Sequence, residues 1–251
     1  MAAKKQGIAK ASTEVQDILS KLDVDMVGVA RLKDLKDAKL KESALKLLPS
    51  ALSIVVVGME VYPEFLDLTS PERLMGTANL NDLYNRHVDY LRGRLTGAVY
   101  KIAQASRKSG RKALPLPAQG PAVDGRFLEA IISYKHAAEA AGLGRIGMSS
   151  LLVTQEFGPR VNLTVCLTEA SLKSTADESL KTCRYCNVCI AKCPAHALDW
   201  PKNDEPYVIN KFACRTYIDA AGGCSECMRQ CPVASPRYAQ ESKGEILNTN
   251  I

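Results

Sequence analysis

The sequence has no run of about 18 apolar residues, so no stretch of it reads as a membrane-spanning helix. It has only three histidines, scattered at His87, His136 and His196, and no serine or cysteine nucleophile with a neighbouring imidazole base can be picked out. A G-x4-G-K-S/T phosphate loop is missing, and so is the D-x-H-x-x-G stretch that would give cobalamin a histidine lower ligand. The N-terminal residues Met1–Ala11 are basic, but no apolar run follows them. No secretory signal is therefore expected, and Lys4-Lys5 is not a twin-arginine signal. Cysteine itself is nearly absent from the first 182 residues, where Cys166 stands alone.

What is present is lopsided. Eight of the nine cysteines fall between residues 183 and 231. A cytoplasmic location is expected, and that compartment keeps thiols reduced. Metal or redox chemistry is then a better expectation than a disulfide framework. Hydrophobic residues make up 46% of 251, enough for a sizeable core. The formal charge of +6 counts every thiol as neutral. Eight thiolates on two cubane clusters would carry about −4 together, leaving about +2. The basic pI is therefore no argument for a nucleic-acid partner.

Cys183, Cys186, Cys189 and Cys193 read C-x2-C-x2-C-x3-C-P, closed by Pro194. This is the bacterial ferredoxin run for a [4Fe–4S] cluster, in which the fourth cysteine serves the other cluster. Three cysteines at two-residue gaps wrap one face of a cubane. The fourth starts the next helix, where a proline costs no hydrogen bond. Cys224, Cys227 and Cys231 repeat the run imperfectly before Pro232, with one cysteine displaced upstream to Cys214. The crossed assignment puts Cys183, Cys186, Cys189 and Cys231 on one cluster and Cys193, Cys214, Cys224 and Cys227 on the other. Zinc also uses cysteine pairs at two-residue gaps, but needs neither the third cysteine nor the repeated C-P.

Residues 24–32 and 52–61 read as strands, and 81–110 as one long helix with basic residues in its last turns. Residues 32–48 read as a helical or irregular surface segment. Residues 111–117 form a possible short strand and 126–142 a helix stopped by Gly142. Residues around 150–157 and 160–170 read as a hairpin turning at 158–160, with Cys166 as a buried structural thiol. A polar link spans about 172–182, and the tail after Pro236 has no core pattern. Alternating helices and strands over the first 170 residues predict an α/β layered domain. "GLGRIG" (142–147) matches G-x-G-x-x-G, but a helix precedes it and β-like residues follow, the reverse of a dinucleotide site. Its glycines then shape a turn or a close backbone approach.

"AGLGRIGMSSLLVTQEFGPRV", followed by the double cysteine run and by "KFACRTYI" around Cys214, resembles the epoxyqueuosine reductase and reductive dehalogenase superfamily. The resemblance covers most of residues 15–236. It implies an α+β fold: a nitroreductase-like α/β domain (1–174), corrinoid-binding, and a C-terminal ferredoxin-like module with two [4Fe–4S] clusters (175–251). It also implies base-off cobalamin held near Gly142, Gly144, Gly147 and Met148, with electrons passing from the clusters to cobalt. The expected activity is that of an oxidoreductase: a cobalamin-linked reductase, or an electron-transfer protein reducing a corrinoid. The rival is a two-cluster electron carrier whose α/β domain no longer binds a corrinoid. Expected partners are a corrinoid or small-molecule substrate, a ferredoxin or flavodoxin-type electron donor, and a corrinoid protein. Nucleic acid and membrane are not expected. Tyr84 and His87, one helical turn apart, are the candidate catalytic proton donors, with Tyr90 and Tyr134 further options. The sequence departs from the family at Met148, where Lys or Arg is common, and at Ala118 and Gln119, where an Asp is expected near a Gly-Pro. The helical-repeat region of many such reductases and the dehalogenase export signal are expected to be absent.

Overall fold

The computed structural model describes residues 14–70, 80–120, 123–201 and 205–233. The polar tail after Pro236 and Pro121 of the "PAQGP" stretch lie outside the described residues. The chain divides into two compact units. One holds residues 1–61, 85–145 and 161–180; the other holds 62–84, 146–160 and 181–251.

The first unit is built on an antiparallel sheet of β1 (Met26–Arg31), β2 (Ser53–Glu60), β3 (Ala113–Pro115) and β4 (Val161–Thr168), in the order β1-β2-β4-β3. It is a mixed helix and sheet fold, and its antiparallel ladders place it with α+β proteins. In β2 every residue from Ser53 to Met59 is buried. A strand covered on both faces needs apolar side chains at consecutive positions, which is why "SIVVVGM" does not alternate. Cys166 lies opposite Val55 in the register. It is fully buried, which pushes its thiol up to about 12, so it is the structural cysteine expected from its strand.

Helix α1 (Ala38–Leu47) starts where the Asp37 carboxylate accepts from the Leu40 N–H at 2.9 Å. Pro63–Leu68 (α2) counts with the second unit. The long helix α3 (Leu80–Lys108) buries Val88, Leu91, Leu95, Val99 and Ile102, a stripe at three- and four-residue spacing. Thr168 on β4 donates to the Ser106 hydroxyl near its end, at 3.0 Å. Lys101, Arg107 and Lys108 are exposed, as expected of a solvated face. Arg92 and Arg94 are half-buried and pair with Asp89 and Asp23.

Two local expectations fail. The helix expected over 126–142 shrinks to α4 (Tyr134–Ala140). Upstream, Val123–Asp124 pairs with Glu129–Ala130 in a small hairpin. The Asp124 carboxylate accepts from both the backbone and the guanidinium of Arg126, which bends the chain away from a helix before Ser133 caps α4. The hairpin expected across 158–160 does not form either. Leu151 folds back to accept from the Gly147 N–H at 2.9 Å, and Thr154 bridges to Gly158. β4 instead pairs with β2 and β3, because its buried half needs apolar neighbours on both sides.

Gly142 adopts φ +74, and a Cβ there would lie 2.5 Å from the Thr175 carbonyl oxygen. Gly93, by contrast, sits on α3 with nothing near its missing side chain. Gly142→Ala should therefore cost roughly 1–3 kcal/mol of stability, while Gly93→Ala should add about 0.5–1 kcal/mol. Urea unfolding midpoints at unchanged slope read both.

Candidate metal centre

All eight cysteines of the double run belong to the second unit. None is in a disulfide, and only Cys186 is exposed. The loop carrying the first run is wound tightly. Tyr185 and Asn187, either side of Cys186, both have positive φ, +52 and +57. Asparagine tolerates that conformation; tyrosine does so only under constraint. Alternation with left-handed residues turns successive N–H groups into a concavity for negative charge, a device common at iron–sulfur sites. Helix α5 (Val188–Ala191) then carries Cys189.

The second run is positioned by two further helices. Helix α6 (Lys211–Ala221) starts where the Asn210 side chain accepts from the Ala213 N–H at 3.0 Å, and this fixes Cys214 in its first turn. Helix α7 (Glu226–Arg229) carries Cys227. Thr69, just past α2, hydrogen-bonds the Ser225 hydroxyl between Cys224 and Cys227, and both groups are buried.

Neighbouring thiols oppose the ionisation of several of these sulfurs. Burial pushes Cys189 up to about 11, and Cys183, Cys231 and Cys186 add to it. Cys231 is raised by burial and then by Cys186 and Cys183. Burial likewise raises Cys214, with Cys193 and Cys224 next, and Cys227, with Cys224 and Cys214 next. Cys227 also feels Cys189, so the two sets adjoin. Amide groups already serve four sulfurs. Cys193 accepts from the Ala197 N–H at 3.3 Å, and Cys189, Cys224 and Cys231 are bonded by the backbone of Ile190, Glu226 and Val233.

This all-sulfur donor set fits iron–sulfur clusters. Among the described residues, no three His, Cys, Asp or Glu side chains converge as ligands of one metal ion do. A cubane spreads its four sulfur ligands over four irons, wider than the tetrahedron around one zinc.

The glycine motif spans both units by membership: Gly142 and Gly144 in the first, Gly147 and Met148 in the second. The space at Gly142 is taken by the backbone of residues 175–177. A Cβ on Gly147 would stand 3.1 Å from the Cys183 sulfur and 2.8 Å from Val153. The room these two glycines leave is thus filled by the chain itself, and one of the fillers is a candidate ligand. Gly144 is buried, and Met148 is 1% exposed.

Tyr84 is half-buried in the second unit, and His87 is buried in the first. Burial holds the His87 imidazole below its ordinary value, so it is neutral near pH 7. The Tyr134 hydroxyl donates to the Pro117 carbonyl at 2.9 Å, and burial pushes it up to about 12. Ala118 is buried, with its N–H on the Thr96 hydroxyl. Exposed Tyr90 bonds Arg94 at 2.9 Å. Sequence reasoning passed over Arg160, noted only within a turn. It is 4% exposed, and its charge acts on Cys231. A cation kept inside a cysteine-rich unit leaves no periodic trace in the chain.

No family model matches the chain. Its relatives are nonetheless consistent. The tetrachloroethene reductive dehalogenase of Desulfitobacterium hafniense is 33% identical over 118 residues, 46% of this chain and 19% of that one. The epoxyqueuosine reductase of a Synechocystis species is 25% identical over 220 residues, 80% of this chain and 68% of that one. A catabolic reductive dehalogenase solved with 3-bromo-4-hydroxybenzoic acid superposes with a TM-score of 0.65 at 17% identity, over 91% of this chain and 32% of that one. These homologues and structural neighbours support a place in the epoxyqueuosine reductase and reductive dehalogenase superfamily. Both groups of relatives are reductases, which supports a redox role. An epoxyqueuosine reductase solved with a tRNA stem loop superposes with a TM-score of 0.56 at 18% identity, over 90% of this chain and 66% of that one. That stem loop runs against the expectation of no nucleic-acid partner, although at this identity the likeness is one of fold. No described helix is long and apolar enough to cross a membrane.

His136 is held low as His87 is, by burial first and Lys135 next. An unfolded chain takes up protons at such sites before the folded one does, so stability is full above about pH 6.5 and falls as the pH drops through that range. The thermal midpoint should fall between about pH 7 and pH 5, and the fall should be smaller in His87→Gln.

Proposed function

We propose that the chain is an iron–sulfur redox protein that delivers low-potential electrons through two [4Fe–4S] clusters to a corrinoid. What supports the proposal is the gathering of all eight cysteines in one unit, where neighbouring thiols oppose ionisation both within the two crossed sets and between them. Cys183, Cys186, Cys189 and Cys231 would hold one cluster; Cys193, Cys214, Cys224 and Cys227 would hold the other. When bound, the clusters supply one-electron transfer at potentials that can lie far below those of most organic acceptors. This chain's own groups present thiolates, wrap them in amide N–H donors and keep water from most of them.

The clusters rest on these residues; the corrinoid rests on the relatives. Gly142, Gly144, Gly147 and Met148 are the proposed corrinoid-side residues, and Tyr84 and His87 the proposed proton-handling pair. Buried Met148 offers no cation to steady negative charge on an organic substrate. That favours a protein that reduces a corrinoid, free or held by a partner protein, over one that reduces a substrate through it. A ferredoxin or flavodoxin-type protein is the proposed electron donor.

Paired substitutions test the crossed ligand sets. After anaerobic reconstitution, Cys183→Ser with Cys231→Ser should leave about four iron atoms per chain, and Cys183→Ser with Cys193→Ser close to none. The reverse outcome would show that each run holds its own cluster. Titration of the iron-loaded protein with cobalamin should give the base-off visible spectrum at one equivalent. An unchanged spectrum with iron intact leaves only a two-cluster electron carrier. Turnover of an organic acceptor, against reactivation of an oxidised corrinoid protein, separates reductase from electron-transfer protein.

A further inference from the structure

The turn at residues 154–160 is stitched to itself. Thr154 bonds the Gly158 carbonyl through both its N–H and its hydroxyl, at 2.8 and 3.0 Å. Phe157 donates to the Thr154 hydroxyl at 3.0 Å, and the Arg160 N–H to the Phe157 carbonyl at 3.1 Å. Gly158 has φ +56, and a Cβ on it would collide with the Val233 carbonyl. Val233 in turn bonds the Cys231 sulfur through its backbone. The Arg160 guanidinium lies beside this junction, with Nη1 3.7 Å from the place a Gly158 Cβ would take. Only 4% of Arg160 is exposed.

The other sulfur set has a buried ion pair beside it. The Glu226 carboxylate is 7% exposed and acts on Cys224. Its partner Arg229, at 2.7 and 2.8 Å, neutralises it locally. No member of the Cys193 set is exposed, whereas Cys186 of the Cys183 set is. Arg184 and Lys192 are exposed, and their charges are screened by water and salt.

An added electron makes a thiolate-bound cube more negative. A buried cation favours that state, while a carboxylate and burial oppose it. The Glu226–Arg229 pair carries no net charge, so the Arg160 cation and the difference in exposure remain, and these two have the same sign here. Resting on the two-cluster reading above, we propose that Arg160 makes the cluster of Cys183, Cys186, Cys189 and Cys231 the higher-potential one, so that an electron shared between the two rests there.

The test is a redox titration of the full, anaerobically prepared protein, followed by electron paramagnetic resonance. The wild type should titrate in two steps. In an iron-replete Arg160→Gln variant the higher step should move down, lowering the reduced-to-oxidised ratio at fixed potential about tenfold, or ~59 mV for one electron. The lower step should stay in place, and Arg160→Lys, which keeps the charge, should leave both steps in place. Unmoved midpoints in iron-replete Arg160→Gln, or movement of the lower step instead, overturn the proposal. If Arg160→Gln loses its iron, an iron-replete Arg160→Met takes its place: a tenfold downward displacement of the higher step supports the proposal, and unmoved steps overturn it. A wild-type protein without about eight iron atoms fails the two-cluster reading itself, before any variant is compared.

Discussion

Eight sulfurs share one unit, close enough that neighbouring thiols oppose the ionisation of Cys189, Cys214, Cys224, Cys227 and Cys231. That mutual opposition is the constraint on which the rest depends. Buried thiols without a cation stay protonated, and packing so many together gains little that aliphatic side chains would not supply better. A cationic iron–sulfur core reverses the balance, because it needs thiolates and needs them turned inward. On the proposed reading, the cost of gathering the sulfurs and their use are the same fact.

Much of the second unit's backbone can be read as service to those sulfurs. Left-handed residues flank Cys186, an asparagine cap sets the helix that carries Cys214, and a hydroxyl pair ties α2 to the Cys224 loop. Gly147 has no side chain where the Cys183 sulfur comes to rest. Amide groups bonded to four of the sulfurs lower the cost of holding negative charge there, and such bonds are one means by which proteins tune a cluster's potential. The first unit follows a different logic. Its sheet is held by continuous burial of β2 and by the apolar stripe of α3, and its one cysteine is inert.

What could be read from the chain alone follows from distance along it. The cysteine runs are legible because only two or three residues separate most of their cysteines. α3 is legible because its stripe recurs over about four turns, and β2 because its run is unbroken. The shortening of α4 was hidden, since one Asx turn at Asp124 outweighed an acceptable helical pattern. The fate of residues 150–157 was hidden too, because two apolar segments beside a glycine turn look like a hairpin until a better partner strand exists elsewhere. Gly147 against Cys183, and Arg160 beside Cys231, join positions 36 and 71 residues apart along the sequence. No local spacing announces either pairing. The glycine motif was read as a turn or a close backbone approach, and the atoms that come close to Gly142 and Gly147 are the protein's own.

The central claim is that these sulfurs hold cubane clusters, and Mössbauer spectroscopy of protein loaded with isotopically labelled iron tests it most directly. The account predicts that nearly all the iron appears as the valence-delocalised pairs of oxidised [4Fe–4S] cubes, with signal for both cubes in every chain. Iron found as isolated ions in sulfur tetrahedra, or cubes amounting to only one per chain, would contradict it.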